Sequence, residues 1–302
     1  MGSSSSVGCE GMIARGVRTT VLAAAGALMM TAGTAARADE PLFGYVNTTD
    51  LLPEGKVQVE EGLTLRGGGD FQLLESRTEV DYGLSSDLQL TGYVNASRLD
   101  ARLTPAQAPA IGASGGLDIE RSRGDSVTVE AIWRVASPYL HPVGVAFLTD
   151  ATVGRDPPAL GFKAIAQKNF NDDTVVLAAN LRLDVGQRET LPAQGGRPAR
   201  SRHVSRIEAA LGASWRFRPN WSAAVELRAR NRYADDRLQD AAVYAGPTLH
   251  YGAQRWFVTL TALGRLGAHH RAVPAGQLAS AAVQMAERTR WDGIRLRVGR
   301  TF

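Results

Sequence analysis

Phe71-Gln72-Leu73-Leu74-Glu75-Ser76-Arg77-Thr78-Glu79-Val80-Asp81-Tyr82 is the stretch that decides the fold. In an extended strand successive side chains point to opposite faces, so Glu75, Arg77, Glu79 and Asp81 fall on a single face. Four charges in a row cannot sit in an apolar core. The run is also about twice the usual strand length of roughly five or six residues. Its neighbours repeat the pattern. Val57, Val59, Leu63 and Leu65 stand opposite Lys56, Gln58, Glu60, Thr64 and Arg66, and Gly67-Gly68-Gly69-Asp70 closes that run. Leu88, Leu90 and Val94 stand opposite Gln89, Thr91, Tyr93 and Asn95 in the next one.

Further alternating runs cover Ser126 to Ser137, Val143 to Val153, Leu160 to Phe170, Thr174 to Gly186, His203 to Phe217, Trp221 to Arg232, Ala241 to Tyr251, Trp256 to Leu266 and Arg290 to Phe302, giving twelve strands in all. Each has about the nine to eleven residues, or slightly more, that a tilted strand needs to cross a bilayer. The links alternate in length. Gly83 to Asp87, Pro138 to Pro142, Asn171 to Asp173, Arg218 to Asn220 and Gly252 to Arg255 are short, whereas Leu99 to Asp125, Gln187 to Arg202 and Gly267 to Thr289 are long. Short turns on one side and long loops on the other are the organisation of an outer-membrane barrel. A soluble β-sandwich would not sort its loops by parity. The fold expected is an all-β, transmembrane, antiparallel up-and-down β-barrel of about 12 strands, with both termini in the periplasm.

Composition alone is less specific. The chain has 302 residues, 44% of them apolar and 21% charged, with one cysteine, 34 Lys+Arg and 30 Asp+Glu. These values exclude a disordered chain, a disulfide scaffold and a thiolate metal site. The near balance of charge argues against a nucleic-acid partner. At the amino terminus Arg15 and Arg18 follow Met12, an apolar run covers Val21 to Ala32, and Ala36-Arg37-Ala38 has the form of a cleavage site. That order is a secretory signal over 1–38, with a possible non-native start before Met12. Residues 39–55 then form a periplasmic lead-in and 56–302 the barrel. Cys9 precedes the apolar run and is lost with it.

Parity assigns Trp133, Val135, Phe162, Leu177, Leu181, Leu183, Trp215, Phe217, Trp221, Val225 and Leu227 to the lipid face. Arg77, Arg134, Lys163, Arg182, Arg206, Arg228, Arg230, Arg265, Arg295 and Arg297 face inward, against Glu75, Glu79, Asp81, Glu130, Asp184, Glu208 and Glu226. Inward basic groups outnumber acidic ones, which favours anions in a pore. Glu226, Arg228 and Arg230, on one strand, are the leading selectivity residues. The alternative is that these charges pair into ladders that fill the barrel. Ile294, Leu296, Val298 and the terminal Phe302 share a face. A closing aromatic of this kind resembles the signal by which barrels are recognised for assembly, although Arg300 departs from it.

Three segments carry a resemblance to a known family: Glu54-Gly55-Lys56-Val57-Gln58-Val59-Glu60-Glu61, Arg77-Thr78-Glu79-Val80-Asp81-Tyr82-Gly83-Leu84 and Gln167-Lys168-Asn169-Phe170. They resemble an uncharacterised family of proteobacterial outer-membrane barrels, and more loosely the putative transporters of phenol-degradation type. The resemblance implies fold and location and supplies no catalytic residues.

Two other constellations bring together residues capable of chemistry. His203-Val204-Ser205 puts an imidazole and a hydroxyl on one strand face, and the tight Arg218 to Asn220 turn brings Asn231, Tyr233 and Asp235 alongside. At the extracellular rim this resembles the arrangement in outer-membrane phospholipases and lipid A deacylases. His269-His270 sits in a predicted loop without further metal ligands. The expected role is a passive channel or transporter for small solutes with a modest anion preference, in the bacterial outer membrane. It uses no cofactor and no metal. Its partners are the lipid bilayer with its lipopolysaccharide and the barrel-assembly machinery, and no nucleic acid. A lipid hydrolase and a plugged structural or adhesive barrel are the alternatives.

Overall fold

The computed structural model describes residues 41–68, 71–103, 117–154, 158–190, 199–270 and 291–302. The expected signal segment and the open question of a short helix between Gly276 and Glu287 lie outside them. Twelve strands form one closed antiparallel barrel in which each strand pairs with its sequence neighbours. They are β1 (Val57–Gly68), β2 (Phe71–Ser85), β3 (Leu88–Leu103), β4 (Leu117–Ala136), β5 (Gly144–Gly154), β6 (Ala159–Phe170), β7 (Val175–Thr190), β8 (Ala199–Arg218), β9 (Trp221–Ala234), β10 (Arg237–Gly252), β11 (Trp256–His270) and β12 (Trp291–Thr301). The last strand returns to the first, with Gln58 opposite Thr301 and Leu65 opposite Ile294. Phe302 N donates to Val57 O at 2.8 Å and seals the seam at the carboxy terminus. Closure leaves no edge of unpaired backbone facing hydrocarbon.

The strands run further toward the long-loop side than the sequence indicates. β4 begins at Leu117 instead of Ser126, β7 continues to Thr190, and β8 starts at Ala199. The expected link from β9 to β10 shrinks to Asp235-Asp236, whose φ values of 49° and 61° fit the two-residue hairpin turn that matches strand twist. His269 and His270 are likewise not in a loop: they end β11, opposite Ala241 and Asp240. The cause is common to all of these. Above the bilayer both faces of a strand meet water, so polar residues continue the ladder without an apolar alternation to mark it.

The outer face is an apolar belt. Leu181 is 58% exposed, Val225 62% and Trp215 57%, and every lipid-facing residue assigned from parity is exposed. Aromatic rings gather at the short-turn end, where Tyr251 contacts Trp221 at 4.8 Å and Trp256 at 5.1 Å between centroids. Phe302 lies on this rim with the Arg300 guanidinium 5.0 Å from its ring, which keeps that charge at the interface. Short turns and aromatics together mark this as the periplasmic end. Replacing Leu181 by Arg on the belt should cost about 2–4 kcal/mol, read as a shift in urea unfolding from lipid vesicles. An unchanged midpoint would contradict the assignment of this face to lipid.

Candidate functional site

Inward positions along β2 to β12 include many polar and charged side chains, and the charged ones are largely tied to one another. Arg182 reaches Asp150 at 2.6 Å and Asp184 at 2.7 Å, and Arg206 takes the other Asp184 oxygen at 2.8 Å. Arg228 grips Glu208 with two bonds of 2.8 Å, and Arg230 approaches the same carboxylate at 3.8 Å. Arg297 Nη2 bonds Glu60 at 2.8 Å, Arg232 meets Asp240, and Arg77 lies 3.6 Å from Glu79. Arg134 turns to the periplasmic rim, where it holds Asp87 at 3.2 Å. Glu60, Asp150 and Asp240 add acids to the expected inward set and Arg66 and Arg232 add bases, so among the described residues a small excess of basic groups remains. Each pair also satisfies groups that would be costly to bury alone.

The larger difference lies at the amino-terminal end. Residues 39–55 were expected as a periplasmic lead-in, but from Pro41 to Leu52 the chain lies against the inner wall of the barrel. It follows the wall strand by strand. Leu52 N donates to Gln89 Oε1 on β3 at 2.8 Å, Thr49 N to Gln167 Oε1 on β6 at 2.6 Å, and Asn47 N to Asn180 Oδ1 on β7 at 2.7 Å. Glu226 on β9 then accepts three successive amides, from Gly44 at 2.8 Å, Tyr45 at 2.8 Å and Val46 at 3.2 Å. Pro41 O accepts from Thr259 on β11 at 2.8 Å. These anchors all lie in the periplasmic half of their strands. Twelve extended residues reach about 40 Å, enough to circle much of a narrow lumen.

Glu226 is the centre of this arrangement. The residue is 0% exposed, and it also accepts hydroxyl protons from Thr248 and from Thr261 at 3.3 Å. A buried carboxylate without donors would be strongly destabilising, and five donors remove that cost. From β12, Arg295 donates to Gly44 O at 2.8 Å and Arg297 to Phe43 O at 3.2 Å. The Tyr45 ring lies between two guanidiniums, 4.5 Å from Arg228 and 4.3 Å from Arg295. Lys163 donates to the Asn47 side chain. Of the expected lumen residues, Lys163, Glu226, Arg228, Arg295 and Arg297 thus hold the inner segment, whereas Arg182, Arg206 and Arg230 belong to the ladder beside it.

Packing completes the fit. Phe43 is fully buried against Ala178, Ala210 and Ala224. A Cβ on Gly212 would lie 2.6 Å from its ring, and one on Gly44 would lie 2.3 Å from Thr261 Oγ1. Both positions therefore require glycine. Leu51 packs on Ile132, Ala146, Leu148 and Ile165. The sequence signal that marks this slot is a run of small inward residues on β7 to β9, where a filled small barrel would carry large ones.

The His203 and Ser205 pair stands where register put it. Ser205 is opposite Tyr233 and Asn231 opposite Ile207, while Asp235 N donates to His203 O at 3.0 Å. The contact that brings Asp235 to His203 is thus one of backbone, and among the described residues no hydrogen bond joins the His203 and Ser205 side chains.

Closed topology, an apolar belt and a charged interior define an outer-membrane β-barrel. The chain belongs to the Family of unknown function (DUF6662), whose model matches residues 35–302. No curated protein matches it significantly. Among solved structures it is similar to the COG4313 outer membrane channel from Pseudomonas putida F1, with a TM-score of 0.58, 12% identity and coverage of 84% of this chain and 98% of that one. Two further barrels match less closely. The translocator domain of the autotransporter NalP from Neisseria meningitidis has a TM-score of 0.49 at 9% identity, covering 99% of this chain and 100% of that one. The KdgM porin has 0.46 at 9% identity, covering 82% and 98%. None of these three is described as a phenol-degradation transporter.

Two outcomes follow for the inner segment. In Glu226→Ala the amides of Gly44, Tyr45 and Val46 lose charge-assisted bonds that are each worth about 1.5–3 kcal/mol, so their hydrogen exchange should accelerate by about tenfold or more. Unchanged protection would contradict the role of Glu226. The second concerns Asp50. Burial raises its carboxyl above the ordinary value, opposed by hydrogen bonds to Gln167 and Tyr139 and by Arg134, with Asp173 adding to the rise. Ionised Asp50 therefore opposes docking. Protection of the segment should be full below the ordinary carboxylate range and weaken as pH rises through the raised value. Asp50→Asn should abolish this dependence, and a dependence that survives would refute its assignment to Asp50.

Proposed function

We propose that this barrel is a passive outer-membrane channel for small solutes, narrowed at its periplasmic end by residues 41–52. The observation that carries this proposal is the polar, charged interior: a barrel serving only as an anchor has no need of so many ionisable groups held in water-facing register. Similarity in fold to an outer membrane channel is consistent with it. The inner segment sets the bore, so the expected conductance is low.

A modest anion preference rests on exposure instead of on number. In the two central pairs the basic partner is the one facing the open lumen: the Arg77 and Arg206 side chains are 41% and 39% exposed, against 13% for Glu79 and 17% for Asp184. Near the extracellular rim the order reverses for Arg66 at 15% and Glu75 at 36%, which limits the preference. The assembly machinery is the proposed partner of the carboxy-terminal strand ending in Phe302, and lipopolysaccharide that of the outer rim. Planar-bilayer recordings test the proposal. Small conductance steps with a reversal potential on the anion side are expected, and Arg77→Gln with Arg206→Gln should move that potential toward cations. Absence of conductance from refolded barrel, or cation selectivity in the unaltered protein, would overturn it.

A further inference from the structure

The bonds that hold residues 41–52 are made mainly to backbone. Six amides, of Gly44, Tyr45, Val46, Asn47, Thr49 and Leu52, donate to side-chain oxygens of the wall. Four carbonyls, of Pro41, Phe43, Gly44 and Asn47, accept from Thr259, Arg297, Arg295 and Asn180. Asn180 serves both polar groups of Asn47, as a neighbouring strand would. Of the two aromatics in residues 41–52, Phe43 is the fully enclosed one, in its slot of small residues, followed by Gly44 beneath Thr261. A wall built chiefly to satisfy main-chain groups, with apolar pockets for Phe43 and Leu51, recognises extended polypeptide as a chemical class.

We infer that the periplasmic half of the lumen is a binding site for an extended peptide, occupied in this structure by the chain's own residues 41–52, and that a second peptide takes the same site when they leave. Side-chain selection adds to this at the Phe43 slot, the Gly44 position and the Leu51 pocket, and Tyr45, Asn47, Thr49 and Asp50 are held through their side chains as well. The larger number of bonds is still made to N–H and C=O groups. Binding of this kind holds whether or not the barrel conducts ions.

The test begins with the intact chain. Pro53, Glu54 and Gly55 form an exposed turn just outside the barrel, so a specific protease sequence inserted after Glu54 allows the inner segment to be cut free once the barrel has folded. Persistence of the barrel is checked by its heat-modifiable migration. A fluorescent peptide with the sequence of residues 39–53 is then added, and anisotropy follows its uptake. Uptake is expected only after cutting. N-methylation of the peptide at the Tyr45 and Val46 amides should weaken binding by about tenfold or more, as should Glu226→Gln in the barrel. Failure of the labelled peptide to bind the cut barrel overturns the inference. So does N-methylation without effect, since that would mean that the site reads this one sequence through its side chains alone.

Discussion

The pairing of β1 with β12 is the constraint on which the rest of the structure depends. Hydrocarbon offers no partner for a backbone N–H or C=O, and a strand edge left open there would carry an unmet cost of several kcal/mol per group. Closing the sheet removes that cost and fixes everything else. Once the barrel is closed, alternate side chains have only two destinations. The outward set becomes the apolar belt from Leu63 and Leu296 round to Val225. The inward set, including Glu60, Arg77, Asp150, Arg182, Glu208 and Arg228, must coexist in a confined space.

Confinement explains the two devices found inside. Oppositely charged side chains on adjacent strands pair, as Arg182 does with Asp150 and Asp184. Among the described residues Glu226 has no basic hydrogen-bond partner and is satisfied instead by the amides of Gly44, Tyr45 and Val46 together with two threonine hydroxyls. The inner segment and the carboxylate solve each other's problem: three amides need acceptors and one buried anion needs donors. Arg295 and Arg297 contribute on the carbonyl side, so groups that in isolation would suggest an anion path are partly committed to holding polypeptide. In the proposed channel, what the lumen offers a solute is set by the groups left exposed, Arg77 and Arg206 among them.

The barrel was legible in the sequence because membrane strands obey a strict period of two. The charges at Glu75, Arg77, Glu79 and Asp81 announce an interior, and loop parity announces the meander. Strand ends were less legible, since residues such as His203, Val204 and Ser205 are buried on neither face. Individual lumen residues were found by parity, but their partners were not, because Arg228 with Glu208 or Arg297 with Glu60 requires knowing which strands are neighbours and at what register. The inner segment was hidden for a different reason. Pro41 to Leu52 has no period of two that would signal a strand, and its bonds run to side chains of six separate strands. Only the inward small residues Ala178, Ala210, Gly212 and Ala224 carried a trace of it.

The most direct measurement of the central claim, that residues 41–52 lie on the inner wall, is a disulfide between Asn47→Cys and Asn180→Cys in protein taken from outer membranes. Asn47 and Asn180 exchange two hydrogen bonds of 2.7 Å and 2.8 Å in the folded chain. Loss of the signal segment with Cys9 would leave the barrel no competing thiol. The account predicts near-complete cross-linking on mild oxidation, with a gel shift reversed by reduction. Free thiols that stay uncoupled, with position 47 open to a periplasmic alkylating reagent, would contradict it.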